Sequence, residues 1–218
     1  MLRRIRIVTL AKALSTMLGI GVFFVAYFWV LRHPFGVPTL MPITALDRLI
    51  PLQPGALTLY FSLWLYVSIA PALLASKREL VSYGLATLAI SVIGFALFML
   101  WPTATPRLPL TTAVPASMQF LRDVDLAANA CPSLHVAFAV FTACWMERLL
   151  REMHTGLALR IASALWGLGI VYSTLATRQH VLIDVLAGAA LGAVVAALHM
   201  RALRRGYDAP SSAAAMAP

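Results

Sequence analysis

Charged residues divide the chain into long apolar stretches. Uncharged runs cover residues 13–31, 49–76, 80–106, 126–146, 161–177 and 185–198, with lengths of 19, 28, 27, 21, 17 and 14. A bilayer core needs roughly 20 apolar residues per helical crossing, within a range of about 17–25. Five runs reach or exceed that range, and the sixth reaches it with the apolar stretch before Asp184. The pattern predicts an all-α, polytopic membrane bundle of six transmembrane helices near 12–31, 55–75, 80–101, 132–148, 161–177 and 181–199. No repeat of 20–50 residues is visible, so residues 1–208 are expected to form one domain. The Ala/Ser/Pro-rich segment 209–218 is expected to be a disordered tail.

The connections carry their own signals. Residues 32–54 are punctuated by Pro34, Pro38, Pro42 and Pro51, and Thr44-Ala45-Leu46-Asp47 resembles a helix start. Leu46, Leu49 and Ile50 would share one face, so a short helix lying in the membrane interface is expected there. Segments 76–79 and 149–160 read as short basic turns, and 102–131 is the second long connection. Tyr27, Trp29, Trp101 and Tyr172 fall near span ends, as interfacial aromatics do. Gly188 and Gly192 form a small-xxx-small pair that permits close helix approach, and ordinary packing explains them.

Composition sharpens the membrane reading. The chain is 61% apolar and 11% charged, against about 25% charged in soluble domains. Disordered chains are polar and charge-rich, so that class is excluded for the whole. The net charge of +9 would point to nucleic acid in a soluble protein. Sorted by side of the bilayer, however, 12 basic residues fall inside and five outside: Arg32, Arg48, Arg107, Arg122 and Arg178. The positive-inside rule then places both termini in the cytoplasm. The partner is the lipid bilayer of the cell (inner) membrane, and nucleic acid is not expected. The first segment lacks a small-residue cleavage site and reads as a retained signal anchor. Cys131 and Cys144, 13 residues apart on one predicted helix, would lie about 20 Å apart, too far for a disulfide, and read as apolar fillers.

Ionisable residues inside spans are costly and therefore informative. Four remain once the topology signals are set aside: His135, Asp184, Arg178 and His180, all mapping to the extracytoplasmic side. In Cys131-Pro132-Ser133-Leu134-His135 the proline suits a first helical turn. A helix N-terminus with a serine hydroxyl is a ready phosphate site, and a capped helix start with a buried histidine is the plain alternative. In Arg178-Gln179-His180-Val181-Leu182-Ile183-Asp184, the i, i+4 spacing stacks His180 and Asp184 on one helix face. Asp184 would accept the Nδ1–H of His180 and leave Nε2 free, which is a nucleophile with its orienting group. A purely structural His–Asp pair is the alternative. Arg178 falls in the loop before the helix, where its guanidinium suits phosphate oxygens. Arg107 follows a proline-punctuated stretch on the same side and, taken alone, reads as an interfacial anchor. His33, His154 and His199 lack carboxylate partners at helical spacing and receive no role.

At these residues the sequence resembles the type 2 phosphatidic acid phosphatase (PAP2) superfamily of membrane lipid phosphatases and phosphotransferases. The family's Pro-Ser-Gly-His element is matched by Pro132-Ser133-Leu134-His135, and the end of its Ser-Arg-x5-His-x3-Asp element by His180-x3-Asp184. Leu100 stands where the family's first-motif lysine would be, and Leu108 where its proline would be. Thr174 occupies the usual place of the third-motif arginine, with Arg178 nearer the histidine. Leu134 and the stretch from Trp101 to Arg107 are similar to the inositol phosphorylceramide synthase branch.

The resemblance implies a lipid phosphate or pyrophosphate as substrate and a phosphohistidine intermediate at the extracytoplasmic face. It makes His180 the nucleophile, Asp184 its orienting partner and His135 the proton donor and acceptor. Arg107, Arg178 and Ser133 would bind the phosphate, with no metal or other cofactor. A lipid head-group phosphotransferase is the alternative outcome of the same chemistry. Two further readings are a metal site built from His135, His180 and Asp184, and a transporter bundle lined by the polar groups.

Overall fold

The computed structural model describes residues 4, 9–106, 116, 118, 119 and 128–208, the last five by backbone alone. Arg107, Asp123, Asp125 and the expected tail at 209–218 lie outside the described residues. The chain is nearly all helical. Helix α1 spans Thr9–Arg32, a short α2 spans Ala45–Leu49, α3 spans Leu57–Phe61, α4 spans Leu63–Leu73 and α5 spans Lys77–Leu100. After the second long connection come α6 (Leu134–Glu152), α7 (Leu157–Ala176) and α8 (Leu182–Asp208).

Five stretches are long and apolar enough to cross a bilayer: Thr9–Arg32, Pro54–Leu73, Lys77–Leu100, Leu157–Ala176 and Leu182–Leu203. They mark a membrane protein. The sixth expected crossing, now α6, differs from them in chemistry. Its last two turns carry Glu147, Arg148, Arg151 and Glu152, and it buries ten of its 19 residues, whereas α1 buries three of 24. Trp145, Phe141 and Val136 are wholly enclosed. Helix α6 is thus the axis around which the others pack, chiefly α8 and α7, and needs no lipid-facing stripe along its length. The outer helices show the converse, with Leu10, Val25, Leu88 and Leu165 more than half exposed, as suits side chains in contact with lipid tails.

Without a hydrophobic gain between helices in lipid, close packing has to hold them together. The glycine pair of α8 supplies it. A Cβ at Gly188 would meet the Ser133 carbonyl oxygen at 2.2 Å, and one at Gly192 the Ala137 carbonyl oxygen at 2.3 Å. Helix α8 therefore lies directly on the backbone of α6.

Three features depart from the sequence expectations. The second crossing is broken: a 3-10 turn at Pro54–Ala56, then α3, then α4 after Ser62, whose hydroxyl turns back to the Leu59 carbonyl at 2.6 Å. Lys77-Arg78-Glu79 opens α5 instead of forming a turn, because Ser76 caps the Glu79 N–H and the Glu79 carboxylate accepts the Ala75 N–H at 2.7 Å. The two long connections are also zipped together. Strands β1 (Thr39–Leu40) and β2 (Thr103–Ala104) pair in parallel, Thr39 opposite Thr103, and Asn129 bridges Thr103 from the other side. The expected short helix is present as α2, closed by a Thr44–Asp47 capping box.

Candidate active site

Of the expected site residues, Ser133, His135, Arg178, His180 and Asp184 lie at the end of the bundle where α6 and α8 begin and α7 finishes, and Arg107 falls outside the described residues. The zipped connections set the start of α6. Thr103 is buried and its hydroxyl accepts the Cys131 N–H at 2.8 Å, while its carbonyl accepts the Ala130 N–H at 3.0 Å. Cys131 precedes the helix instead of lying on it with Cys144, and both cysteines are free thiols. Burial, and then the Asp184 carboxylate, push the Cys131 thiol up to about 11. Ser133 is the N-cap: its hydroxyl accepts the Val136 N–H at 3.3 Å, and its own N–H donates to the Asp184 carbonyl at 3.0 Å. The side chain of Ser133 is wholly buried in that cap.

His135 follows in the first turn of α6. Its imidazole stacks on Tyr60 with centroids 4.0 Å apart and planes 14° apart, and it hydrogen-bonds to the Tyr60 backbone. Nε2 is buried without a hydrogen-bond partner, and His180 lies within electrostatic reach. Tyr60 carries no mark in the sequence, being one aromatic among many in an apolar run.

Helix α7 ends in a Schellman motif. The Gln179 N–H reaches the Thr174 carbonyl at 3.1 Å and the Arg178 N–H reaches the Leu175 carbonyl at 3.0 Å. The residue in the left-handed position is Arg178, with φ of 59°, where glycine is the usual choice. A side chain there costs about 1 kcal/mol, and in return the guanidinium is turned to the site. Its Nη2 donates to the Ile50 carbonyl at 3.3 Å, and Nε is buried without a partner. Thr174, at the position of the family's third-motif arginine, is buried in the last turn of α7 and bonds back to the Val171 carbonyl.

His180 lies in the turn before α8, which starts at Leu182, so it does not share a helix face with Asp184. The two still meet, with Nδ1 and Oδ2 3.6 Å apart. That is a charge-pair distance and not the hydrogen bond expected from the spacing. The reason is the helix start itself: Asp184 is fully buried and its Oδ2 accepts the Val181 N–H at 3.0 Å. Asp184 Oδ1 and His180 Nδ1 are left without hydrogen-bond partners.

Arg178 and His180 line one small pocket with Asp47, Ile50, Thr105 and Pro106. Asp47, which the sequence marks only as part of a helix start, also accepts the Leu182 N–H on its Oδ1 at 2.7 Å. Pro106 brings the chain to that pocket immediately before Arg107. Among the described residues no three His, Cys, Asp or Glu side chains converge closely enough to hold a metal ion, His135, His180 and Asp184 included.

The arrangement gathers two imidazoles, a guanidinium and a carboxylate at the ends of three helices, with polar atoms left open for a ligand. No curated protein matches the chain, and no solved structure does. A family model does, over residues 79–207, which takes in α5 to nearly the end of α8 and with them His135, Arg178, His180 and Asp184. A match of that extent, carrying the site with it, places the chain in the PAP2 superfamily, whose members are phosphatases and phosphotransferases.

Proposed function

We propose that the protein is an integral membrane phosphatase that hydrolyses a lipid phosphate or pyrophosphate at the extracytoplasmic face. The observation that carries this reading is the meeting of His180 with Asp184 beside Arg178 and within reach of His135. In the proposed topology α6 is a sixth crossing, both termini are cytoplasmic, and the site lies outside, consistent with the excess of basic residues on the inner segments.

The chemistry follows from which atoms are free. The Nε2 lone pair of His180 attacks phosphorus and the bond to the leaving oxygen breaks, giving a phosphohistidine. Asp184 closes on Nδ1–H and stabilises the imidazolium as it forms. Nε2 of His135, buried and unpaired, gives its proton to the leaving oxygen. It then takes a proton from water, whose oxygen displaces His180 from phosphorus. Arg178, and with it Arg107, neutralise the charge on the transferring group. Ser133 holds the first turn of α6 in place, so that its backbone N–H groups face the phosphate. An alcohol in place of water would make the same site a head-group transferase.

An apolar cavity of about 670 Å³ supports a lipid substrate. It lies among α1, α4 and α5, with Trp64 and Phe138 at its wall, and Phe138 is three residues along α6 from His135. The test is a detergent assay over a panel of lipid phosphates, with and without an alcohol acceptor, following free phosphate and transferred product. Phosphate release that depends on His180 supports the reading. Release by a His180→Ala variant at the wild-type rate contradicts it.

A further inference from the structure

We propose that Asp47, on the short helix α2, is a positioning residue for His180, an inference that rests on the phosphatase reading above. The turn from Arg178 to Leu182 is the part of the site with no helix of its own. Its backbone N–H groups are nonetheless tied in sequence. Arg178 donates to Leu175, and Gln179 and His180 both donate to Thr174, the last at 3.2 Å. Val181 donates to Asp184 Oδ2 at 3.0 Å, and Leu182 to Asp47 Oδ1 at 2.7 Å. Four of these five bonds end on α7 or α8. Asp47 lies 135 residues away from Leu182 in sequence, so it ties the backbone of this turn to the first long connection, while the Thr105 hydroxyl ties it to the second by donating to the Gln179 carbonyl at 2.8 Å.

The local chemistry explains why an acid is needed. Val181 stands at the N-cap of α8 and has no side-chain oxygen, while Asp184 three residues on supplies only the returning half of a capping box. The first N–H groups of a helix have no partner within it, and Asp47 provides the missing acceptor from outside. Asp47 is buried, with 8% of the residue exposed, a costly placement for a carboxylate unless its oxygens are satisfied. Oδ2 takes the Thr44 N–H and hydroxyl, each at 2.7 Å, which closes the box of α2. Oδ1 is committed to Leu182. Three residues further on, the Ile50 carbonyl accepts Nη2 of Arg178. One short segment thus grips the site on both sides of His180.

The test uses the full chain in detergent, with the lipid phosphate that the wild type hydrolyses best. Asp47→Ala should lower kcat by about 10–100-fold, with KM changed by less than about threefold. Asp47→Asn keeps an oxygen for the Leu182 N–H and should recover most of kcat. Thr44→Ala breaks the local capping box alone; it should lower thermal stability and leave kcat near wild type. If Asp47→Ala does not fold, the other two variants carry the comparison.

A wild-type kcat in Asp47→Ala overturns the inference. So does equal loss in Asp47→Asn and Asp47→Ala, or a Thr44→Ala loss as large as that of Asp47→Ala. In each case activity that still requires His180 leaves the phosphatase reading standing. A wild-type chain inert on every lipid phosphate overturns both.

Discussion

Both ends of the central bundle close a helix with a bulky residue in the left-handed conformation. At the far end α6 finishes with His154 at φ of 53°, and the Thr155 N–H reaches the Leu150 carbonyl at 3.0 Å; at the site end α7 finishes with Arg178 at φ of 59°. The backbone motif is the same, and so is its strain. What differs is the company. At the far end cations meet acids: Arg4 with Glu152 at 3.3 Å, Arg148 with Glu152 at 2.7 Å, Arg151 and Arg160 with Glu147. Lys12 is satisfied by the carbonyls of Arg4, Ala72 and Leu74. At the site end Arg178 donates to a neutral carbonyl and the buried Asp184 stops 3.6 Å short of His180. Strain alone therefore marks nothing. Charge left open beside strain marks the place where an anion belongs.

The largest effect should come from the nucleophile. His180→Ala is expected to lower phosphate release by at least about 10³-fold while the protein still inserts and elutes from size exclusion as wild type. A variant with near wild-type turnover would remove the distinction between the ends. The paired helix caps then separate strain from charge. Arg178→Gly should lower activity by about 10²–10³-fold, with stability held near wild type because relief of the left-handed side chain offsets the lost Ile50 contact. His154→Gly should raise stability by about 0.5–1 kcal/mol and leave activity unchanged, read from thermal melts and the same assay. Equal activity losses in the two would mean that the site has been assigned to the wrong end.

Two smaller effects probe the support of the site. Gly188→Ala forces a methyl group onto the Ser133 carbonyl and should cost about 1–3 kcal/mol in thermal melts, with activity lost as α8 moves off the start of α6. The Cys131 thiol is raised from an ordinary value of 9.0 to about 11. It stays protonated at pH 8, and its alkylation should be slow there and rise with pH up to about 11. Because the unfolded thiol ionises first, stability should also fall as pH rises from 9 towards 11. Rapid alkylation at pH 8 would contradict the burial of the Cys131–Ser133 segment.

Much of this was legible in the sequence because lipid leaves so few polar residues unexplained. The uncharged runs located the crossings, Thr44 to Asp47 announced a capped helix, and His135, Arg178, His180 and Asp184 stood out against the apolar background. What the sequence hid lies in contacts between distant segments. Nothing in Thr39 or Thr103 foretells their pairing, since two-residue strands are below any periodicity. Tyr60 is invisible among other aromatics until His135 stacks on it. The i, i+4 spacing of His180 and Asp184 suggested a shared helix face, but α8 begins two residues after His180, and Asp184 serves the helix start as well. The uncharged run of α6 resembles those of the other long helices, and only its charged last turns and its burial among them show it to be the core on which they pack.

In the proposed reaction a covalent bond forms between phosphorus and His180. The direct measurement is rapid acid-free quenching of the purified protein with ³²P-labelled lipid phosphate, followed by peptide mapping. A phosphoryl label that survives alkali, is lost in acid, maps to His180 and disappears in His180→Ala is the predicted result. Steady phosphate release with no label on His180 under any quench, or a label undiminished in His180→Ala, would contradict it.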